Sequence, residues 1–262
     1  MQNSTAFVPA DIFNPAHYAG VHQPLEKAAT LPPWCYVDEA FYRAEVEHIF
    51  MKVWNFLGRV DQIPNPGDYF TVNYVGVPLI IARGRDGEVR AFSNTCRHRG
   101  SKVAQDKGNC RAFICPYHSW VYNLDGTLRG ANGMDNALDF DKGDYGLRLV
   151  RLETWGGFIF VSFDPDAESL MDYLGDMPEQ FASYDCENLV TTRTVEFILP
   201  CNWKLFIENA MEEYHLPFVH KSTLNLKDFA HDIIPTVGNW DAIREKHEGT
   251  RALLEEDTGK GF

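Results

Sequence analysis

The chain has no run of about 18 apolar residues, so no membrane-spanning helix is expected. Its N-terminal stretch, Met1 to Gly20, lacks both the basic start and the apolar core of a signal peptide, which makes the cytoplasm the expected compartment. Positive charge is scarce. Twenty-four Lys and Arg against 37 Asp and Glu leave a net charge of −13, which speaks against general nucleic-acid binding. No low-complexity stretch and no repeat at periods of about 20–50 residues is evident, so disordered and solenoid classes fall away. Cysteine is also sparse, at six residues in 262, and without a secretion signal these do not read as a disulfide framework. Reduced thiols are expected. Cys35, Cys110, Cys186 and Cys201 have no histidine at ligand spacing and read as buried or incidental.

What is present is ample apolar material, 45% of the chain, enough for one large or two ordinary domains. Three segments differ in pattern. Residues 1–54 start as a Pro-, Ala- and His-containing arm and end in a helix over Asp38 to Val53. That helix is marked by Val46, Ile49, Phe50 and Val53 at helical spacing, with Asp38 as N-cap. Residues 55–163 read as a compact antiparallel β domain. Tyr69 to Tyr74, Val77 to Arg83 and Glu88 to Ser93 are strands, the last two joined by an Arg85-Asp86-Gly87 turn. Arg111 to Cys115, a hairpin from Trp120 to Arg129, Leu147 to Thr154 and Phe158 to Phe163 complete it. Residues 164–262 mix a helical stretch (Ala167 to Tyr184), a strand (Leu189 to Leu199), a helix from about Trp203 to Tyr214 capped by Asn202, and a helix-like charged stretch from Asp241 to Asp257.

The strongest chemical signal is Cys96-Arg97-His98, sixteen residues, then Cys115-Pro116-Tyr117-His118. Each pair falls where a strand gives way to a loop, so two loops can converge. Two thiolates and two imidazoles suit a [2Fe–2S] cluster with cysteines on one iron and histidines on the other; replacing two anionic ligands by neutral ones raises the reduction potential. Structural zinc also accepts two Cys and two His, although zinc modules usually open with a Cys pair or close with a His pair. A basic island runs through this segment: Arg90, Arg97, Arg99, Lys102, Lys107 and Arg111 against one acid, Asp106. It reads either as a docking face for an acidic electron donor or as a solvated loop surface.

The second signal lies on the helix after Asn202. Glu212 and His215 are three apart and share a helical face, and Pro217 turns the chain so that His220 can return towards His215. Two histidines so placed can supply two facial ligands of a non-haem Fe(II) site whose third ligand is a carboxylate.

The string Cys96-Arg97-His98-Arg99-Gly100 with Cys115-Pro116-Tyr117-His118-Ser119-Trp120, and the Tyr122-to-Gly126 turn, resembles the Rieske domain of ring-hydroxylating oxygenase α subunits. The resemblance implies an α+β chain: an antiparallel β-sandwich Rieske domain, then the first part of an α/β helix-grip-type catalytic domain. It implies a [2Fe–2S] cluster on Cys96, His98, Cys115 and His118, with Trp120 and Tyr122 beneath it, and a mononuclear Fe(II) on His215 and His220. Glu212 would bridge His215 to His118 of a neighbouring chain, which calls for a ring of subunits, usually a homotrimer. A reductase or ferredoxin would supply electrons, and O2 and a small organic substrate would react at the iron.

The string Asn209-x-x-Glu212-x-Tyr214-His215 is similar to the monooxygenase branch acting on quaternary ammonium compounds such as carnitine or choline, with aromatic substrates as the other class. Family members run longer. Their carboxylate ligand lies far downstream, and none of the eight acids from Asp228 to Asp257 matches it, so a C-terminally truncated chain with exposed apolar surface is expected. Two rivals remain: a Rieske-type electron carrier without oxygenase activity, and a zinc-stabilised binding module.

Overall fold

A computed structural model describes residues 8–212, 214–220, 230–234, 236–239 and 242–246. The chain divides into two compact units, 44–195 and 1–43 with 196–262. Among the described residues no helix is long and apolar enough to cross a membrane.

The 44–195 unit is built on antiparallel strands. Ten strands occur in it: β1 Asn55–Arg59, β2 Asp68–Tyr74, β3 Val77–Arg83, β4 Val89–Ser93, β5 Lys107–Asn109, β6 Phe113–Ile114, β7 Val121–Tyr122, β8 Leu128–Gly130, β9 Leu149–Trp155 and β10 Phe158–Ser162. Seven form one sheet in the order β1-β10-β9-β4-β3-β2-β5, and β6-β7-β8 form a small second sheet. The strands expected between Tyr69 and Phe163 are all present. Two further ones, β1 and β5, were not anticipated: β1 carries a register shift between Phe56 and Gly58, and β5 is a Lys-Gly-Asn tripeptide paired to β2 by its backbone and by Asn109, whose Nδ2 donates to Asp68 Oδ1 at 2.8 Å.

Strand β3 shows how the sheet is buried on both faces. Leu79 and Ile81 enter a core with Ile63, Ala91, Ile159 and Val161, while Ile80 and Ala82 enter another with Phe92, Phe113, Trp120 and Tyr122. Successive side chains of a strand point to opposite faces, so a continuous apolar run such as Leu79-Ile80-Ile81-Ala82 serves two cores. The second core joins the large sheet to the small one and includes Cys96 and Cys115. Gly126 closes the β7–β8 turn with φ +88°, and an added Cβ there would meet Phe92 at 2.5 Å. Only glycine satisfies both demands.

The β3–β4 turn is held by an ion pair in which Arg90 donates to both Asp86 oxygens, at 2.9 and 2.7 Å. These hydrogen bonds hold the Asp86 carboxyl down at about 2. A depressed carboxyl contributes stability that is present above the ordinary aspartate value and is lost as pH falls through about 2. Urea stability followed between pH 4 and 2 is therefore expected to fall less steeply in Arg90→Ala than in the parent chain. Parallel acid limbs in the two proteins would refute this assignment.

Three expectations are corrected. The 167–184 stretch is not one helix. It forms α3 Leu170–Leu174 and α4 Met177–Gln180, broken at Gly175 with φ +59°, then a 3-10 turn over Ala182–Tyr184. Residues 189–199 pair with no strand among the described residues. The Leu189 carbonyl accepts from Arg59 at 2.7 Å and the Thr191 N–H donates to Asp61 at 2.7 Å, while Phe197 and Ile198 are 79% and 91% exposed. β-branched composition makes a segment ready to pair but supplies no partner edge. Finally, part of the supposedly helical 241–257 stretch is strand β12, Ala242–Lys246, antiparallel to β11, Ala230–Ile234; residues 247–257 lie outside the described residues.

The N-terminal helix is close to expectation. After α1, Trp34–Val37, comes α2, Glu39–Glu45, which runs on into a π-helical turn over Val46–Phe50. Asp38 Oδ1 accepts from the Phe41 N–H at 2.8 Å, so the anticipated cap is formed. In the 1–43 and 196–262 unit, α5, Trp203–Ala210, is capped by Asn202, whose Oδ1 accepts from the Lys204 N–H, and α6, Leu216–Val219, follows.

Candidate functional site

The cysteine-histidine loops emerge from adjacent places. Cys96 follows β4, whereas Cys115 to Trp120 connects β6 to β7. The two loops have the same internal hydrogen bonds. The Cys96 N–H donates to the Ser101 carbonyl and the Gly100 N–H to the Cys96 carbonyl, at 2.8 and 2.9 Å. The Cys115 N–H donates to the Trp120 carbonyl and the Ser119 N–H to the Cys115 carbonyl, at 2.8 and 3.0 Å. The fourth residue after each cysteine adopts left-handed backbone, Gly100 at φ +75° and Ser119 at φ +57°. This repeated turn places one thiol and one imidazole per loop.

Burial sorts the four donors. Cys96 and Cys115 are 4% and 1% exposed, whereas His98 is exposed and His118 half-buried. The two imidazole rings lie 4.6 Å apart between centroids, and His98 stacks on Trp120 at 4.9 Å and 8°. Loss of water around His98, together with the His118 and Arg99 charges, holds its pKa below the ordinary histidine value. Tyr122, fully buried, brings its hydroxyl to 3.2 Å from Cys96 Sγ while accepting from the Arg97 N–H at 3.0 Å. Burial and the Cys96 contact push that hydroxyl's pKa well above the tyrosine range. The expected neighbours Trp120 and Tyr122 are thus gathered with the four donors.

The donor set fits a diiron cluster. Sulfurs inside and imidazoles outside would give two ligands to each iron, and the buried Trp120 Nε1–H finds no acceptor among the described residues.

Sequence reasoning missed Asn94. It is 2% exposed, donates from Nδ2 to the Ala104 carbonyl at 2.8 Å, and accepts at Oδ1 from the Val103 and Ala104 N–H groups at 2.9 and 3.0 Å. It ties the far end of the first loop to the strand that begins it. Its only sequence signal is a polar residue at the end of an apolar strand, two before Cys96. Asn94→Ala would orphan three buried backbone groups and is expected to cost about 3 kcal/mol in urea denaturation. A loss under about 0.5 kcal/mol would contradict that role.

The basic island is not one patch. Arg97, Arg99 and Lys102 follow the first cluster loop. Arg90 and Arg111 instead line a cleft with Arg85, Arg129 and the Asp125 turn, at the end of the small sheet opposite the Cys115 loop. Of the remaining cysteines, Cys35 is buried, Cys110 and Cys186 are half-buried and Cys201 is exposed.

In the other unit, α5 ends at Ala210, four residues sooner than the helical pattern suggested, so Glu212 and His215 do not share a face of that helix. They meet in the turn that follows. The Glu212 carboxylate contacts His215 Nδ1 and accepts from the His215 N–H at 3.2 Å. Desolvation opposes ionisation of Glu212, but the hydrogen bonds from the His215 side chain and backbone and from the Tyr214 backbone outweigh it and lower its pKa. The single turn of α6 returns His220 to His215, with ring centroids 5.4 Å apart at 67°. These two imidazoles suit two positions of a mononuclear iron site, and the described residues contribute no carboxylate as a third.

Comparison with known proteins agrees with this geometry. Residues 53–151 match the Rieske [2Fe-2S] domain, and residues 180–256 match the catalytic domain of the ring-hydroxylating α subunit. A glycine betaine monooxygenase oxygenase subunit from Chromohalobacter salexigens is 39% identical over 197 residues, which is 75% of this chain and 44% of that protein. The chloroplastic choline monooxygenase of Beta vulgaris is 35% identical over 224 residues, 83% of this chain and 50% of the relative. Among solved structures, a quaternary ammonium Rieske monooxygenase, described for carnitine oxidation by gut microbiota and inter-subunit electron transfer, superposes with a TM-score of 0.75. It is 30% identical, over 82% of this chain and 60% of that one. The chain spans about half the length of the curated relatives it matches. With a Rieske domain followed by ring-hydroxylating catalytic sequence, which together imply a [2Fe–2S] cluster and a mononuclear iron, the chain belongs to the Rieske oxygenase α-subunit family.

Proposed function

We propose that this chain serves as a terminal oxygenase component that hydroxylates a quaternary ammonium compound with O2. The observation that carries the reading is the pair of matched loops, each offering one buried sulfur and one outward imidazole. Cys96 and Cys115 would hold one iron of the cluster, and His98 and His118 the other. When bound, the cluster supplies one-electron transfer and the mononuclear iron supplies O2 activation.

The protein's part is placement. His98 and His118 lie nearest the surface and give an electron its shortest route in or out of the unit. Arg99, whose charge acts on His98, presents positive charge beside it to an acidic reductase or ferredoxin. Glu212 occupies Nδ1 of His215, which leaves Nε2 as the nitrogen available to iron and fixes the ring. In an assembled ring of chains, a homotrimer by family resemblance, Glu212 would also reach His118 of a neighbour. The preference for quaternary ammonium over aromatic substrates rests on the glycine betaine and choline monooxygenases among its relatives.

The test is iron analysis and EPR of the reduced chain, followed by O2 uptake with glycine betaine, choline and carnitine. A rhombic Rieske signal with oxygen consumption on one of these substrates is expected. An iron-replete sample without that signal would end the reading.

A further inference from the structure

The helix that leads to Glu212 and His215 carries a buried charge. Lys204, on its first turn, is 7% exposed, a rare condition for lysine. Its ammonium sits over three rings, 5.3 Å from the centroids of Tyr36 and Phe41 and 5.4 Å from that of Trp203. A cation over aromatic faces is stabilised by the ring quadrupoles, more strongly where water is excluded. One helical turn later, Glu208 accepts a hydrogen bond from the Tyr36 hydroxyl at 2.7 Å. Desolvation and this bond push the Tyr36 hydroxyl up to about 12, so it remains a donor throughout the working pH range.

Residues four apart lie on one side of a helix, so Lys204 and Glu208 grip a single side chain from two sides. The cation faces the Tyr36 ring and the carboxylate holds its hydroxyl. Tyr36 lies in α1, whose Trp34 packs edge-on against Phe41 at 5.3 Å and against His17 at 6.1 Å. Glu212, in the turn that directly follows α5, is the group that holds His215.

We propose that Lys204 and Glu208 are positioning residues that clamp Tyr36, and that this clamp registers α5 so that Glu212, His215 and His220 meet in a metal-competent arrangement. The proposal rests on the reading of His215 and His220 as iron ligands. It makes the N-terminal segment part of the iron site's support.

The experiment titrates Co(II) into the full chain, carrying its cluster, for the parent, Tyr36→Phe, Lys204→Met, Lys204→Arg, Glu208→Gln and His215→Ala. The EPR signal of the reduced cluster and the thermal midpoint are read on the same samples. Tyr36→Phe removes one oxygen and Lys204→Met keeps the apolar stem, so both retain the packing. Each is expected to weaken Co(II) binding about tenfold, as loss of a supporting shell does, with the cluster signal unchanged and Lys204→Arg retaining most of the affinity. Parent-like affinity in Tyr36→Phe and Lys204→Met, against a parent that binds and a His215→Ala that does not, overturns the clamp alone. A parent that binds no Co(II), or binds it equally in His215→Ala, overturns the iron-site reading and the clamp with it.

Discussion

The Cys115→Ser variant is expected to lose the rhombic EPR signal entirely, with cluster iron falling from about two per chain to near zero. Cys115 is 1% exposed and shares its core with Trp120, Tyr122 and Phe113. Serine keeps the backbone turn but exchanges a polarisable thiolate for a hydroxyl that does not ionise at neutral pH, so one iron loses half of its protein ligands. The two cluster loops also meet through the Cys96 and Arg97 contacts with the Tyr122 hydroxyl, the stacking of His98 on Trp120 and the approach of His98 to His118. Because ligand binding to the folded state is folding free energy, losing the cluster is expected to lower the thermal midpoint by roughly 5 °C. A Cys115→Ser protein with an unaltered signal would show that sulfur is not a ligand, and the redox reading would fall.

The second large effect is expected from His215→Ala combined with His220→Ala. These residues belong to a compact unit separate from that of the cluster ligands, so the cluster signal should persist. Iron content should fall by about one per chain, and O2-dependent product formation should drop by roughly a thousandfold or more, since the other close pair of imidazoles, His98 and His118, is assigned to the cluster. Reduction of the cluster by its donor should continue at the parent rate. The electron-carrier alternative makes the opposite forecast, because a carrier has no use for these histidines. An unchanged iron count and unchanged turnover in the double variant would favour the carrier.

Much of the site was legible because its chemistry is local. The spacing of Cys96, His98, Cys115 and His118 names the candidate ligand set within one stretch of chain. The short separation of Glu212, His215 and His220 lets a turn bring them together whether or not the helix continues. Strands β3 and β4 were legible for a similar reason, since alternation and the Arg85-Asp86-Gly87 turn are properties of neighbouring residues. Asn94 was not, because its partners Val103 and Ala104 are ordinary apolar residues in the sequence and become partners only when the loop folds back. The Tyr36 clamp was hidden too: its two halves lie 172 positions apart.

Composition and spacing by themselves determined which candidate donor atoms this protein carries close together in its chain: two sulfurs, paired imidazoles, and a carboxylate beside one of them. Only the folded chain decided that the sulfurs lie inside and the cluster imidazoles outside, that 189–199 stays unpaired among the described residues, and that β12 is a strand. The reason is physical. A side chain's donor chemistry is intrinsic to the residue, whereas burial and strand pairing are relations between distant segments, settled by which surfaces exclude water together.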